Sequence, residues 1–107
     1  MNPFAETPEP PFYAVIFTSL LSSSQEGYES MSKKLTELVT AQPGFLGLET
    51  SRSEIGITIS YWSDLESISR WKENLEHLKA QKLGKVKWYS GFKVRICRVE
   101  KEYSFEN

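Results

Sequence analysis

Phe12-Tyr13-Ala14-Val15-Ile16-Phe17-Thr18-Ser19-Leu20-Leu21 is the stretch on which the fold turns. Its first six residues are apolar without a break, and aromatic and β-branched types dominate it. That composition over so short a run predicts a strand buried on both faces, with Tyr13, Val15 and Phe17 on one side and Phe12, Ala14 and Ile16 on the other.

Downstream, Ser23 and Glu26 form a capping-box pattern, and Tyr28, Met31, Leu35 and Leu38 recur at helical spacing until Pro43-Gly44. A helix over about 25–41 is expected. Phe45, Leu46 and Leu48 open a second strand, a turn spans Ser53 to Gly56, and Ile57 to Trp62 form a third strand paired to it as a hairpin. Ser63 and Glu66 repeat the capping box. Leu65, Ile68, Trp71, Leu75 and Leu78 then predict a helix over about 64–83, closed by Gly84. Trp88 and Tyr89 read as a connector, Ser90-Gly91 as a turn, and Phe92 to Val99 as a last alternating strand. Upstream, residues 1–11 hold four of the five prolines and read as an extended arm before a single domain over 12–107.

The order β-α-β-β-α-β is the α+β, ferredoxin-like plan: a four-stranded antiparallel sheet with both helices on one face. One sheet face is then left bare. With strand one apolar on both sides, a homodimer joined through that face is expected.

Composition sets the limits. With the six glycines counted in, about 45% of the 107 residues are apolar, which is a folding chain. Thirteen basic and 14 acidic residues leave a net charge of −1, against a surface devoted to nucleic acid or to an anionic membrane. One Cys and one His exclude an intrachain disulfide and leave little metal-ligand vocabulary. The N-terminus lacks a signal-peptide pattern and no apolar run spans a membrane, so a cytoplasmic protein is expected.

Joined to this topology, Pro43-Gly44-Phe45-Leu46-Gly47-Leu48-Glu49, Tyr61-Trp62-Ser63-Asp64, Trp71 with His77, Gln81, Gly84 and Trp88-Tyr89 make the chain resemble the antibiotic biosynthesis monooxygenase family over about residues 12–103. The resemblance implies a dimeric α+β barrel. It also implies a cavity between helices and sheet, used in characterised members to oxygenate aromatic polyketides or quinones without metal or flavin, or to bind and degrade haem. Haem-degrading relatives use a strand-one Asn, a helix-two Trp and a His ten residues after it. Trp71 matches that Trp, but residues 12–21 contain no Asn and the later position is Gln81.

His77 shares a polar helix stripe with Arg70, Asn74 and Gln81. It is either solvated or a catalytic proton shuttle and hydrogen-bond donor. Arg95, on one strand face with Lys93 and Cys97, is the second catalytic candidate, as a cation for a substrate oxyanion. Tyr13, Phe17, Trp62, Trp71 and Trp88 are either core or walls for a flat ligand, with Asn74 and Gln81 at the cleft mouth. Lys79 to Val99 holds seven basic residues and no acid.

Phosphate loops, nucleophile elbows and metal-spaced His pairs are absent from the sequence. What remains is chemistry a protein assists without an activated side chain, by binding an easily oxidised aromatic and excluding water. The resemblance implies that this is a cofactor-independent monooxygenation of a small flat aromatic, of quinone or polyketide type. The alternatives are a non-catalytic ligand-binding or stress-associated dimer of the same fold and, further off, a haem-binding or haem-degrading protein. RNA-recognition domains share the element order, but Ile55 to Trp62 lacks their basic-glycine-aromatic strand, so no nucleic-acid partner is expected.

Overall fold

Strand β1 (Phe12–Leu21) lies inside the sheet, as its two-sided apolarity requires, and the other elements follow as α1 (Tyr28–Thr40), β2 (Phe45–Arg52), β3 (Gly56–Trp62), α2 (Leu65–Leu78) and β4 (Tyr89–Val99). The computed structural model describes residues 3–78 and 88–106. The sheet order is β2-β3-β1-β4, with every neighbouring pair antiparallel. This is the ferredoxin-like α+β arrangement.

Register assigns the faces. Tyr13 pairs with Trp62, Val15 with Ser60 and Phe17 with Thr58, and these residues share one face. On that face Trp62 is fully buried and clusters with Val39 of α1 and Ile68 of α2, with Tyr13, Val15, Phe45 and Trp71 packed around them. That face is therefore the one beneath the helices.

The opposite face carries Phe12, Ala14, Ile16 and Leu20 of β1 with Tyr61, Ile59 and Ile57 of β3. Its covering is partial. The N-terminal arm crosses one end, where the Ala5 amide donates to Glu49 Oε2 at 3.0 Å and Thr7 Oγ1 donates to Glu102 Oε1 at 2.6 Å. Phe12 is buried there, edge-on to the Tyr61 ring at 6.0 Å. At the other end Leu20 and Ile57 are 47% and 44% exposed. The expectation of a strand buried on both faces thus holds only for part of β1, because no second layer covers this end.

Tyr61 donates its hydroxyl to Glu49 Oε1 at 2.6 Å. Burial first, and the Glu49 carboxylate second, push its pKa from 10.0 up to about 12. A raised folded-state value favours the neutral phenol. Its contribution to stability should be complete below pH 10 and disappear as pH rises through 12. Tyr61→Phe should accordingly flatten the alkaline limb of a denaturation midpoint plotted against pH.

Both expected capping boxes are replaced. Gly27, at φ +80°, precedes α1 without a side-chain cap, and this left-handed residue separates Glu26 from the helix. Before α2 the cap is Asp64, whose Oδ1 accepts from the Ser67 amide at 2.7 Å, while Ser63 Oγ donates to Asp64 Oδ2 at 3.0 Å. The Ser67 backbone bond holds the Asp64 carboxyl below its ordinary value. Its stabilising effect is present above the unfolded value and is lost as pH falls through the folded one. Asp64→Ala should lower the melting temperature by several degrees at neutral pH, and by less in acid.

Strand β4 begins at Tyr89, so Ser90-Gly91 lies inside the strand and is not the expected turn. The register shifts there, Leu20 facing Gly91 while Leu21 faces Tyr89. Ser90 is the extra residue of a bulge. The bulge turns Tyr89 onto the face of Phe92, where both rings meet Phe17.

Candidate functional site

Three of the expected wall residues belong to the core beneath the helices. Trp62 has no exposed surface, and its Nε1 donates to Ser60 Oγ at 2.9 Å. Tyr13 packs on the same cluster, as does the half-buried Trp71. Asn74 faces outward on α2 and donates to Gln42 Oε1 at 3.1 Å. Arg95 pairs in register with Ile16, which places it on the sheet face opposite Trp71, exposed to solvent. It does not converge with the tryptophans. The side chain of His77 and the whole of Gln81 lie outside the described residues.

Phe17 and Trp88 stand at the other end of the helix face and belong to a different group. Phe17 stacks on Phe92 at 5.5 Å and 29°, and meets Tyr89 edge-on at 5.3 Å. Tyr28, the first residue of α1, is edge-on to both Trp88 and Tyr89 at 5.9 and 6.0 Å. Trp88 is anchored by its Nε1, which donates to the Glu26 carbonyl at 2.9 Å. Burial, followed by the hydrogen bond with Tyr28, raises the Tyr89 pKa and keeps the phenol neutral.

Set among these rings is Arg52, the last residue of β2. It pairs with Gly56 of β3, which in turn pairs with Ser19 of β1. A Cβ at Gly56 would land on the guanidinium, so the glycine is what lets Arg52 lie across β3. Arg52 Nη2 donates to the hydroxyl of Ser19, itself only 1% exposed. The Tyr28 ring faces the guanidinium carbon at 5.9 Å, in cation-π contact. Nη1 is buried without a hydrogen-bond partner among the described residues.

A cleft of about 450 Å³ opens beside Arg52 and Tyr28, lined by these two with Leu21, Gln25, Gly27, Glu29 and Ser30. A larger cleft of about 750 Å³ lies on the other sheet face, between the N-terminal arm, the tail beyond β4 and the Phe12-Tyr61 pair. Its charged lining is entirely acidic: Glu6, Glu49, Glu102 and Glu106.

Sequence reading passed over Arg52, Ser19 and Tyr28. Arg52 ends a polar run before a turn, where a solvated side chain is the ordinary expectation, and Tyr28 counted only as a helix-stripe residue. The available signal was Gly56, a glycine placed in register between Arg52 and Ser19.

Among the described residues no helix is long and apolar enough to cross a membrane. The antibiotic biosynthesis monooxygenase family model matches residues 11–83. The chain is 39% identical over 108 residues to the uncharacterized protein YqjZ of Bacillus subtilis (strain 168), covering 99% of this chain and 95% of that protein. Among solved structures, PA3566 from Pseudomonas aeruginosa superposes with a TM-score of 0.67 at 16% identity, over 91% of this chain and all of that one. SnoaB, a cofactor-independent oxygenase from Streptomyces nogalater, superposes with a TM-score of 0.62 at 13% identity, over 92% of this chain and 100% of its own. At such identities these two likenesses speak for the fold alone. The family match and the YqjZ relative settle membership: the chain belongs to the antibiotic biosynthesis monooxygenase family.

Proposed function

We propose that the protein is a cytoplasmic homodimer that binds a small flat aromatic of quinone or polyketide type and catalyses its monooxygenation without a cofactor. The observation that carries this reading is the gathering of Phe17, Tyr28, Trp88, Tyr89 and Phe92 at one end of the helix face, beside a cleft of about 450 Å³. The rings pack against one another and leave Tyr28 as the one that lines the cleft, whose volume suits a molecule of two or three fused rings. Membership of the antibiotic biosynthesis monooxygenase family supports the same chemistry.

The substrate supplies the electrons. Removal of a proton from an anthrone methylene leaves an electron-rich anion that reduces dioxygen. One oxygen atom stays on the carbon as a carbonyl and the other leaves as water. The protein's share is to hold the ring, favour the anion and exclude bulk water. His77 is proposed as the proton acceptor, since imidazole titrates nearest neutrality. Arg95, on the far sheet face, has no part in this site.

The test is incubation of purified protein with anthrones in air, following oxygen uptake and quinone formation. One dioxygen consumed per quinone formed, with His77→Ala lowering kcat at least tenfold, is the expected result. Ligand binding without oxygen uptake would instead assign a binding protein.

The dimer has its own support in the uncovered end of the second sheet face, where Leu20 and Ile57 stand half-exposed. Sedimentation at micromolar concentration should give twice the chain mass. Leu20→Glu together with Ile57→Glu should give the monomer.

A further inference from the structure

We infer that Arg52, with Ser19 beside it, is the receptor for an ionised oxygen on the aromatic ligand, a phenolate or enolate. The inference rests on the aromatic-binding reading above and names the ligand's charge and the group that holds it.

Arg52 carries an electrostatic cost that its neighbours leave uncompensated. A guanidinium carries five N–H donors and a permanent charge, and burying it without a counter-ion is costly. The ion pairs among the described residues are Arg70 with Glu66 and Arg98 with Glu100, and neither involves Arg52. Residues 79–87, which lie outside the described residues, contain no acid in their sequence and so cannot supply a carboxylate. Glu29 also lines the cleft, and it forms no ion pair with Arg52.

Geometry indicates what would offset that cost. Nη2 is spent on Ser19, and because Ser19 Oγ accepts this bond, its own hydroxyl proton is left to donate. Nη1 on the same guanidinium is buried and has no partner among the described residues. Two donors therefore sit on adjoining groups, one of them cationic, and together they match an oxygen anion better than a neutral carbonyl. Tyr28 screens the guanidinium from the cleft side. Tyr28 and Arg52 both line the cleft, so this ring forms one wall for the ligand.

The selectivity this predicts is for charge on a ring of constant shape. Lawsone, a hydroxynaphthoquinone ionised at neutral pH, and its neutral methyl ether make the comparison, by calorimetric titration under nitrogen so that turnover plays no part. The wild-type protein should bind lawsone at least tenfold more tightly than the ether. Arg52→Met should abolish that preference while retaining ether binding, and Arg52→Lys should keep part of it. If Arg52→Met does not fold, Gly56→Ala provides the second arm. Its methyl displaces the guanidinium from Ser19 with the charge retained, and it too should lose the preference.

Equal binding of both compounds by the wild type, or an undiminished preference in these variants, overturns the assignment and leaves aromatic binding standing. Failure of the wild type to bind either compound at millimolar concentration removes the aromatic-binding reading, and this inference falls with it.

Discussion

Gly44→Ala is expected to destabilise the protein by about 2–4 kcal/mol, from a strained backbone and an overpacked contact together. Gly44 sits at φ +83°, a conformation that costs an L-residue energy wherever it occurs. A Cβ there would stand 2.6 Å from Ser67 Cβ and 3.0 Å from Ser63 Oγ. Ser67 cannot give way easily, being 4% exposed in the first turn of α2. The Gly44 carbonyl also accepts from the Ser63 amide at 2.8 Å, so the start of β2 is fastened to the entry of α2 at this point. Urea denaturation should show a lower midpoint with an unchanged slope. Adding Ser67→Gly should recover the steric part of the loss but leave the conformational part.

The Pro43-Gly44-Phe45 motif was conspicuous in the sequence, and the contact with Ser67 is its physical content. Element order was equally legible, because each strand and helix carries its own periodicity. Less legible was anything that depends on a one-residue shift. The bulges at Ser90 and near Leu46 each place two residues three apart on one face, Tyr89 with Phe92 and Phe45 with Leu48, against simple alternation. Gly47 and Gly91 beside them are the mark such bulges leave in a sequence. Arg95 was misplaced for a related reason. Alternation groups it correctly with Lys93 and Cys97, but only register against β1 shows that this group lies away from the helices. Apart from Gly56, little in the sequence marks Arg52, because its environment is made by Ser19 of β1 and Tyr28 at the start of α1, both remote in sequence from Arg52 itself.

Trp62 separates core from ligand wall, two roles its sequence position leaves open. The ring is fully buried, meets Phe45 edge-on at 5.5 Å, and touches the Val39-Ile68 cluster that joins both helices to the sheet. Trp62→Ala should therefore cost about 3–5 kcal/mol, a large share of the 5–15 kcal/mol that a domain of this kind has in total. Trp62→Phe keeps an aromatic ring in the core but gives up the indole N–H bond to Ser60, so its midpoint should fall by much less. Ligand binding should show the opposite insensitivity. Trp62 of β3 pairs with Tyr13 of β1, and six residues of strand, roughly 20 Å, separate Tyr13 from Ser19, the partner of Arg52. Lawsone affinity in Trp62→Phe should accordingly stay within about twofold of wild type, a spread of roughly 0.4 kcal/mol. A loss of tenfold or more with the fold intact would move the ligand from the Arg52 end of the sheet to the tryptophan end.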